Sequence, residues 1–448
     1  MSMRATIVNF ASRTMAMAKN RFSTAPKRRF SAGFRNGLEW HPNKAKNTGE
    51  KPMDKIEIKR LANGNRIRSG IHHRFPFLAI AGVAIMLGIF PVAAADYNIT
   101  NFGASADNPA LATTAIQNAI NAAYNAGGGR VIVPAGRFRS GSLTLKNNVT
   151  LRLDTRDSIL AGSADYRDYG DAFINAGGGA AKRIEGPGII DGVNCFNPHG
   201  EEGFRGPHCI AFGGCDGFSV VDITITNSAN YALIGWGKGT MNILIQNLRI
   251  RGGHDGLHLQ GANNITVQNC DFQTGDDAFA GCDNQAMSVT DCQINSSCNG
   301  MRFGAKDLTV KHCRFWGPGQ FEHRVSHRKN MQSAFTYFSP QDRNPAIPGN
   351  NIVLEDCRVE NVDTLFSYYY GSQWQEGQVL NNVTLRNITA SDLLNGVAAT
   401  GDAGRQFNLT MENVEVSFRP GREDQNCVNL SNVGTCTLKG VTLRHTGN

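Results

Sequence analysis

The chain has 448 residues, with 45 Lys and Arg against 37 Asp and Glu, a basic balance that would suit a nucleic-acid or membrane partner. The excess is confined to residues 1–74, which hold 17 of the basic and four of the acidic side chains. Residues 75–448 therefore hold 28 basic and 33 acidic side chains, a net charge of −5. This mildly acidic body excludes the basic footprint of a nucleic-acid-binding domain.

An uncharged segment, residues 75–95, separates the basic extension from the rest of the chain. Its apolar centre spans 77–90, and three alanines, 93–95, precede Asp96. This order is typical of a secretory signal peptide, so we expect residues 96–448 to be secreted or periplasmic. The alternative is an uncleaved, single-pass anchor facing outward, because the 21 uncharged residues are long enough to span a bilayer. Residues 1–74 are expected to be a disordered basic extension.

The segment Thr114–Ala126 has the pattern of an amphipathic helix. Thr114 and Gln117 have the spacing of a capping box, and the glycines 127–129 follow the segment as a stop signal. One apolar face is formed by Ile116, Ala119, Ile120, Ala123 and Tyr124. We expect this helix to cap the exposed N-terminal end of the strands that follow it.

A seven-residue template then recurs, in which a polar residue is followed by alternating apolar and polar residues and a final apolar residue or cysteine. Its last positions advance by 22, 22, 21, 44, 31 and 26 residues. Its copies are Asn242–Leu248, Asn264–Cys270, Ala286–Cys292, Asp307–Cys313, Asn351–Cys357, Asn382–Ile388 and Asn408–Val414. Because one such unit cannot bury its apolar face alone, the units must stack. The repeat predicts an all-β fold, a single-stranded right-handed parallel β-helix of about ten coils over 96–448.

Two further expectations follow from the repeat. The 44-residue step between Cys313 and Cys357 predicts one additional coil plus a loop. The shared template position of Cys270, Cys292, Cys313 and Cys357 predicts one interior line of reduced thiols, since stacking alone does not provide disulfide geometry. Disulfides among Cys195, Cys209 and Cys215, or between Cys427 and Cys436, are the alternative. The cysteine and histidine spacing does not indicate zinc, and we expect no metal and no cofactor.

Three polar residues follow the template at a constant distance. Asp255, Asp277 and Asn299 each lie seven residues beyond a template end, and Asp276 adjoins Asp277. They should therefore stack on neighbouring coils. Carboxylates held together raise one another's pKa, which is what glycosidic hydrolysis requires of its acid and base. The competing interpretation is an Asp-rich turn without function.

The sequence resembles glycoside hydrolase family 28, the polygalacturonase-like proteins of the pectin lyase-like superfamily, over residues 96–448. The similarity is carried by Tyr97–Ala104, Gly141–Lys146, Gly186–Gly192, Asn227-Ser228, His254–Gly256 and Thr274–Asp277. The resemblance implies that Asp276 is the general acid of an inverting hydrolysis. It also implies that Asp255 and Asp277 hold and activate the water.

Two motifs of this family are absent from the sequence. The Gly-His-Gly motif appears here as Cys298-Asn299-Gly300, and no Arg-Ile-Lys motif follows it. That motif would bind the uronate carboxylate, so other residues must take its place. Candidate substrate-binding residues are Asn299, Arg302, His254 and Arg324, the last within the basic segment Gln320–Lys329.

The sequence thus favours a glycosidase acting on a pectic or related acidic polysaccharide. We expect the protein to be a monomer and to be membrane-associated only if segment 75–95 is retained. One alternative is a polysaccharide lyase or epimerase in which the carboxylates hold Ca²⁺. A second alternative is a non-catalytic glycan-binding β-helix, because the fold does not by itself imply an activity.

Overall fold

The computed structural model describes residues 95–422 and 427–445, and the structural statements below concern those residues. The predictions for the basic extension 1–74 and for segment 75–95, apart from its last residue, lie outside the described residues. Within the described ranges the chain forms short strands joined by tight turns, together with a single α-helix. None of the helices described is long and apolar enough to cross a membrane.

The regular elements are short and numerous. The α-helix is α1 (Thr113–Asn125), and 3₁₀ turns span Ile99–Phe102, Tyr166–Asp168, Glu201–Gly203 and Gln341–Arg343. The strands are β1 (Asp96–Asn98), β2 (Gly129–Val133), β3 (Gly136–Ser140), β4 (Leu143–Thr144), β5 (Val149–Leu153), β6 (Ser158–Gly162), β7 (Ala172–Asn175), β8 (Ala180–Glu185), β9 (Ile189–Asp191), β10 (His208–Ala211), β11 (Asp216–Val221), β12 (Thr224–Thr226), β13 (Leu233–Trp236), β14 (Met241–Gln246), β15 (Arg249–Arg251), β16 (Leu257–Gln260), β17 (Asn263–Gln268), β18 (Asp271–Thr274), β19 (Phe279–Thr290), β20 (Gln293–Ser296), β21 (Asn299–Lys311), β22 (Arg314–Trp316), β23 (Met331–Tyr337), β24 (Asn350–Glu355), β25 (Arg358–Glu360), β26 (Val362–Tyr369), β27 (Asn382–Leu393), β28 (Asn395–Thr400), β29 (Phe407–Phe418), β30 (Val428–Ser431) and β31 (Val433–His445).

The strands stack in three parallel ladders that each take one strand segment from successive coils. The first ladder runs through β1, β2, β5, β8, β11, β14, β17, β19, β21, β24, β27, β29 and β31. The second runs through β3, β6, β9, β12, β15, β18, β20, β22, β25, β27, β29 and β31. The third, which carries the site described below, runs from β4 through β7, β10, β13, β16, β19, β21, β23, β26 and β28 to β30. The predicted parallel β-helix is confirmed. It has a few more coils than the ten expected, because β1, β2, β5, β8 and β11 precede the first template copy.

The alternation of the template places its apolar residues in one continuous core. The register aligns Ile243 with Ile265, Ile265 with Met287, Met287 with Leu308 and Leu308 with Ile352. Each of these five side chains is almost completely buried. Because successive strand side chains point to opposite faces, the polar residues between them face outward. Burial of the stacked apolar residues is therefore what holds one coil on the next.

The residue that begins a template copy has a left-handed backbone in the first five of the seven copies. Its φ is 56° at Asn242 and Asn264, 58° at Asp307 and 50° at Asn351. Asn and Asp occupy this region more easily than other residues with a side chain. The Nδ2 atom of Asn264 also donates to Oδ1 of Asn242 at 2.6 Å, and Asn351 donates to Asp307 at 3.0 Å. A turn conformation and a side-chain ladder together account for this part of the repeat.

Two details of the sequence analysis are wrong. The 44-residue step holds no additional coil, because β21 pairs directly with β24, with Leu308 opposite Ile352. The extra residues form two loops, 317–330 and 338–349, on either side of β23. The capping box is also absent, since α1 begins after Ala112 without a side-chain cap. Gln117 instead bonds to the backbone of Thr144, at 2.8 and 3.1 Å.

The cap and the interior line of thiols agree with the structure, but Tyr124, which was expected on the apolar face of the helix, is 46% exposed. The apolar face of α1, which includes Ile116, Ala119 and Ile120, is buried against the first strands, so the helix covers the N-terminal end of the core. The cysteines of the interior line, Cys270, Cys292, Cys313 and Cys357, are buried free thiols. Cys195, Cys209 and Cys215 are also free thiols.

Replacing Ala286 by Asn should stabilise the protein. Ala286 begins a template copy with φ of 53°, lies between Asn264 and Asp307 in the register, and is exposed. The change removes left-handed strain and lets a new amide donate to Asn264, so the free energy of unfolding should rise by about 1 kcal/mol. Urea or thermal unfolding measures it. Ala286→Gly relieves the backbone without adding the amide, and an Asn variant no more stable than wild type would contradict this account.

Candidate active site

The residues of the site are aligned by the third ladder. Leu257 pairs with Phe279 and Phe279 with Met301, so the residues two positions earlier, Asp255, Asp277 and Asn299, follow one another from coil to coil. Backbone hydrogen bonds continue this alignment, since the Ala278 amide donates to the Asn299 carbonyl at 3.0 Å. The spacing of seven residues beyond the template therefore corresponds to a shared position at the entrance of this ladder.

Asp276 reaches the same point because the chain bends between β18 and β19. The hydroxyls of Thr274 and Ser296 donate to the Asp276 carbonyl at 2.6 and 2.7 Å. Gly275 is required at the bend, because a Cβ there would lie 2.6 Å from the Gly253 carbonyl oxygen and 2.9 Å from that of Glu322. The bend turns the Asp276 side chain toward Asp277. In a regular strand the two side chains would point to opposite faces. Carboxylate oxygens of Asp255, Asp276 and Asp277 all lie within 4.8 Å of one another.

Asp255 is oriented by a histidine that itself has one defined tautomer. His258 Nδ1 lies 2.7 Å from Asp255 Oδ2, and both side chains are buried. Arg343, from the loop 338–349, contacts His258 Nε2 with its Nη1 at 2.8 Å. Because a guanidinium only donates, Nε2 must accept, and the ring proton is on Nδ1. His258 therefore donates to Asp255, and burial lowers the pKa of His258 well below its ordinary value.

Asp276 lies between two groups that stabilise its negative charge. His323 Nε2 and Arg205 Nη2 lie 3.4 and 3.6 Å from Asp276 Oδ2. His323 Nδ1 accepts from the Ser326 backbone amide at 3.0 Å, so its proton is on Nε2, toward Asp276. The resemblance pointed to a missing histidine, and this structure places a different histidine, from the loop 317–330, beside Asp276.

Asp277 is held by the next coil. Its Oδ1 accepts from the backbone amide of Asn299 at 3.1 Å and from the Asn299 side chain at 2.8 Å. Its Oδ2 accepts a charge-assisted hydrogen bond from Arg302 Nε. The Arg302 guanidinium also stacks over Phe338, 4.1 Å from the ring centroid, which fixes its position.

The three carboxyl groups have different electrostatic environments. Burial raises the pKa of Asp255 well above its usual range, and the charges of Asp276 and Asp277 raise it further. Burial also raises the pKa of Asp277, although Arg302 opposes the shift. For Asp276 burial acts in the same direction, but His323, Arg302 and Arg205 outweigh it, and the pKa is lowered. The cluster thus places its most stable proton on Asp255 and its most stable charge on Asp276.

The cluster lies in a cavity of about 800 Å³. Its walls come from the coils, from the two loops and from the segment 370–381, and they include the half-exposed rings of Tyr369 and Trp374. Such exposed aromatic side chains are surfaces on which sugar rings can stack. A second cavity of about 600 Å³ shares Glu201 and Arg205 with the first and extends toward Trp236. Together they provide room on two sides of the carboxylates.

The predicted site residues are only partly gathered here. Asp255, Asp276, Asp277, Asn299 and Arg302 line the larger cavity. His254 is buried behind it against Phe204, with its Nε2 unpartnered and its pKa lowered to about 3, chiefly by burial. Arg324 does not line the cavity and instead donates to Asn194.

Several residues at the site were not indicated by the sequence. These are Arg205, His258, His323, Arg328 and Arg343. The basic segment Gln320–Lys329 was the only signal for two of them, since it contains His323 and Arg328. The others are isolated in sequence, and no spacing relates them to the repeat.

Three carboxylate oxygens at this spacing are a partial ligand set for a divalent cation. Ca²⁺ takes six to eight oxygens at about 2.3–2.6 Å. The three carboxylates supply part of such a set, but Asp277 is already paired with Arg302, and Asp276 faces Arg205 and His323. These positive and hydrogen-bond-donating neighbours fit a free carboxylate cluster better than a calcium site.

Comparison with known proteins agrees with this fold. Residues 97–302 match a family described as rhamnogalacturonase A/epimerase, pectate lyase-like, and residues 208–416 match the right-handed β-helix region. The structure resembles an exopolygalacturonase from Thermotoga maritima with a TM-score of 0.64 and 17% identity, covering 78% of this chain and 92% of that one. The chain is therefore a right-handed parallel β-helix protein, and over less than half of its length it is similar to that pectate lyase-like family.

The chain is also similar in sequence to characterised enzymes that act on uronate polymers. The chain is 28% identical over 250 residues to an exo-poly-α-D-galacturonosidase of Dickeya chrysanthemi, 41% of each protein. It is 50% identical over 62 residues to a mannuronan C5-epimerase of Azotobacter vinelandii, 12% of this chain and 6% of that protein. The match thus spans less than half of either relative. The expected resemblance to glycoside hydrolase family 28 is confirmed, and the chain is polygalacturonase-like.

Replacing Asp255 by Asn should stabilise the fold while removing a carboxylate from the cluster. A folded-state pKa above the unfolded value means that stability is present at acid pH and lost as the pH rises through the folded pKa. The amide imitates the protonated carboxyl, so the gain should be near zero at pH 3 and on the order of 1–2 kcal/mol at pH 7. Thermal unfolding across this pH range measures it, and a variant less stable than wild type at pH 7 would contradict the raised pKa.

Proposed function

We propose that the protein is a glycoside hydrolase that cleaves a pectic or related acidic polysaccharide. The observation that carries this proposal is the buried cluster of Asp255, Asp276 and Asp277 at the base of a cavity large enough for sugar residues. Gathering three carboxyl groups is costly without a ligand or a reaction, because like charges at short distance destabilise one another. Glycosidic hydrolysis uses such a set as acid and base.

We assign the roles as the resemblance implies. Asp276 protonates the leaving glycosidic oxygen, while Asp255 and Asp277 hold and activate the water, which gives inversion. The spacing alone would not indicate inversion, because two-carboxylate inverting enzymes have separations of about 6.5–9.5 Å and this cluster is tighter. Three carboxyl groups meet the requirement differently, since two of them share the water.

Substrate binding has a part in preparing the acid. Without substrate, the pKa of Asp276 is lowered because, although burial raises it, His323, Arg302 and Arg205 outweigh burial. A sugar that enters the cavity displaces water and brings the glycosidic oxygen, and an anionic sugar also neutralises part of the surrounding positive charge. Both effects raise the pKa of Asp276 toward the value that a general acid needs, so the proton held by Asp255 passes to Asp276 and leaves Asp255 ionised to activate the water.

His258 and Arg343 are positioning residues in this scheme. Arg343 fixes the tautomer of His258, and His258 fixes the orientation of Asp255. The water that lies between Asp255 and Asp277 would then meet the sugar from one direction. Such orientation is a recognised source of rate enhancement.

We also propose that the body of the protein acts outside the cytoplasm. The support is the sequence of segment 75–95, which has the order of a signal peptide, and the polymeric substrate, which is too large to be taken up intact. N-terminal sequencing of protein from the producing cells and their medium tests this. A mature chain beginning near Asp96 is the expected result.

A calcium-dependent lyase or epimerase is the second candidate. It is favoured by the spacing of the three carboxylates, which is close enough to hold a cation, and by the word epimerase in the matching family's description. Arg302 or Arg328 would then be the candidate for the base. The pairing of Asp277 with Arg302 argues against it, because the cation would have to displace that arginine.

The products distinguish the two candidates. With polygalacturonan, rhamnogalacturonan and alginate as substrates, we expect new reducing ends, no ultraviolet-absorbing unsaturated product, and activity unchanged by a chelator. Hydrolysis adds water across the bond and leaves no double bond, which is the physical reason. Unsaturated product or loss of activity with the chelator would establish the second candidate instead.

Replacing Asp276 by Asn should reduce kcat on the polysaccharide by about 10²–10⁴-fold, the usual contribution of a positioned general acid. An aryl galacturonide with a good leaving group needs no protonation, so the variant should recover most of its activity on that substrate. Asp255→Asn is the matched control and should stay inactive on both. Full turnover by Asp276→Asn, or recovery by Asp255→Asn instead, would contradict the assigned roles.

A further inference from the structure

The two ends of the solenoid differ in how they are covered. At the N-terminal end, α1 packs its apolar face on the first strands. At the other end, the last strand, β31, is paired with β29 along one edge, and within the described residues its second edge has no partner. An unpaired strand edge is a place where a further strand can add.

The strand β31 continues the interior pattern of the coils below it. Its interior residues and their register partners in β29 are Cys436 and Leu409, Leu438 and Met411, Val441 and Val414, and Leu443 and Val416. The four residues of β29 are at most 2% exposed, whereas Leu438 is 47% and Leu443 is 44% exposed. The terminal repeat of a solenoid normally has a polar outer face or a cap. The last coil here instead presents apolar side chains that a covering layer would bury.

The spacing of these four residues is symmetric about the bend of the strand. β31 turns at Gly440, where φ is 63°, so its first part belongs to the first ladder and its second part to the second ladder. Cys436 and Leu443 lie equally far in sequence from the peptide bond before Gly440, and so do Leu438 and Val441. Two copies of β31 related by a two-fold axis through this bond would run antiparallel, with Leu438 opposite Val441 and Cys436 opposite Leu443. Every interior residue would then face an interior residue, and shifting the register by one or two residues breaks this match.

The charges of the strand are compatible with this pairing. Lys439 lies next to Glu412 in the register with β29, and Arg444 lies 4.0 Å from Glu415. In the antiparallel pair, Lys439 would face a glycine of the second copy and Arg444 a threonine. Like charges directly opposite one another destabilise a pair of strands, and this register does not produce such a pair.

The area of this end is also sufficient for a stable interface. β31 has 13 residues and bounds two sides of the last coil, and β30 bounds the third side. At about 3.3 Å per residue, each part of β31 is roughly 20 Å long. Contact between two such ends covers a whole cross-section of the solenoid. The accessible surface buried is then on the order of the 800 Å² that each partner contributes to a standard interface.

We propose that two copies of the protein stack end to end through β31 and form a two-fold symmetric dimer, in place of the monomer expected from the sequence. The dimer is closed, because α1 covers the N-terminal end of the core in each copy and so disfavours head-to-tail addition. Pairing of the two β31 strands adds backbone hydrogen bonds along the free edge, and it buries the exposed leucines of both copies. The dimer does not depend on the proposed glycosidase function.

Analytical ultracentrifugation of the purified protein measures the association. The wild type should sediment with twice the mass of one chain. Leu438→Lys places a charge against Val441 of the second copy, and the two-fold axis does so twice, so the dissociation constant should rise at least about 100-fold. Thr437→Lys adds the same charge one residue away, on the exposed outer row, and should leave the dimer intact. Thermal unfolding verifies that each variant is folded.

A disulfide crosslink tests the register of the two strands. Residues directly opposite in an antiparallel pair have Cα atoms about 4.5–5.5 Å apart, a separation that a disulfide can bridge. On oxidation with diamide, the thiol introduced by Leu443→Cys should therefore bond to Cys436 of the second copy. The product has twice the chain mass on a non-reducing gel, and reduction removes it. Thr442→Cys, the neighbouring position on the outer row, is the matched control and should stay uncrosslinked.

Each outcome decides for or against this dimer. A wild-type protein that sediments as a single chain at every concentration tested overturns the proposal. A dimer that persists in Leu438→Lys overturns it too, because another surface must then hold the copies together. Equal crosslinking by Thr442→Cys and Leu443→Cys contradicts the proposed register. Loss of the dimer in Leu438→Lys but not in Thr437→Lys, together with a crosslink specific to Leu443→Cys, supports it.

Discussion

Parallel stacking of one coil on the next determines which side chains can touch, and the rest of the structure depends on this alignment. The register that places Ile265 under Met287 in the core also places Asn264 beside Asn242 on the surface. The same register also brings Asp255 and Asp277 together, because each lies two residues before its strand of the third ladder. Core, surface ladder and site are thus three consequences of one hydrogen-bonding pattern.

The site is a balance of charges that the scaffold holds together. Three carboxyl groups repel one another in a cavity with little solvent, and the arginines and histidines around them offset only part of that repulsion. A buried charge that is incompletely matched lowers stability, and it also supplies groups whose pKa values differ from one another. The raised pKa of Asp255 and the lowered pKa of Asp276 are the clearest example. Burial of the continuous apolar core in the surrounding coils offsets the destabilisation that this charge cluster causes.

The regular and irregular parts of the chain have different tasks. The coils supply the carboxylates and Arg302 at repeating positions. The two loops beside β23 supply His323, which faces Asp276, and Arg343, which fixes the His258 that donates to Asp255. A loop can change its length and residues without altering the register of the coils beneath it, so binding specificity can change independently of the chemistry. This separation explains how one solenoid architecture can accommodate different glycans.

The sequence by itself determined the solenoid, the interior line of thiols and the constant spacing of Asp255, Asp277 and Asn299, because each repeats with the coil. It did not determine the two loops, because a step of 44 residues has the length of two coils and so predicts an extra coil. Nor could it identify Arg205 or His258, since their partners lie on other coils or loops and no periodicity links them. Only the tertiary structure placed Arg328 in the cavity and Arg324 outside it. Within an irregular loop the direction of each side chain is decided by long-range packing, and local pattern carries no information about it.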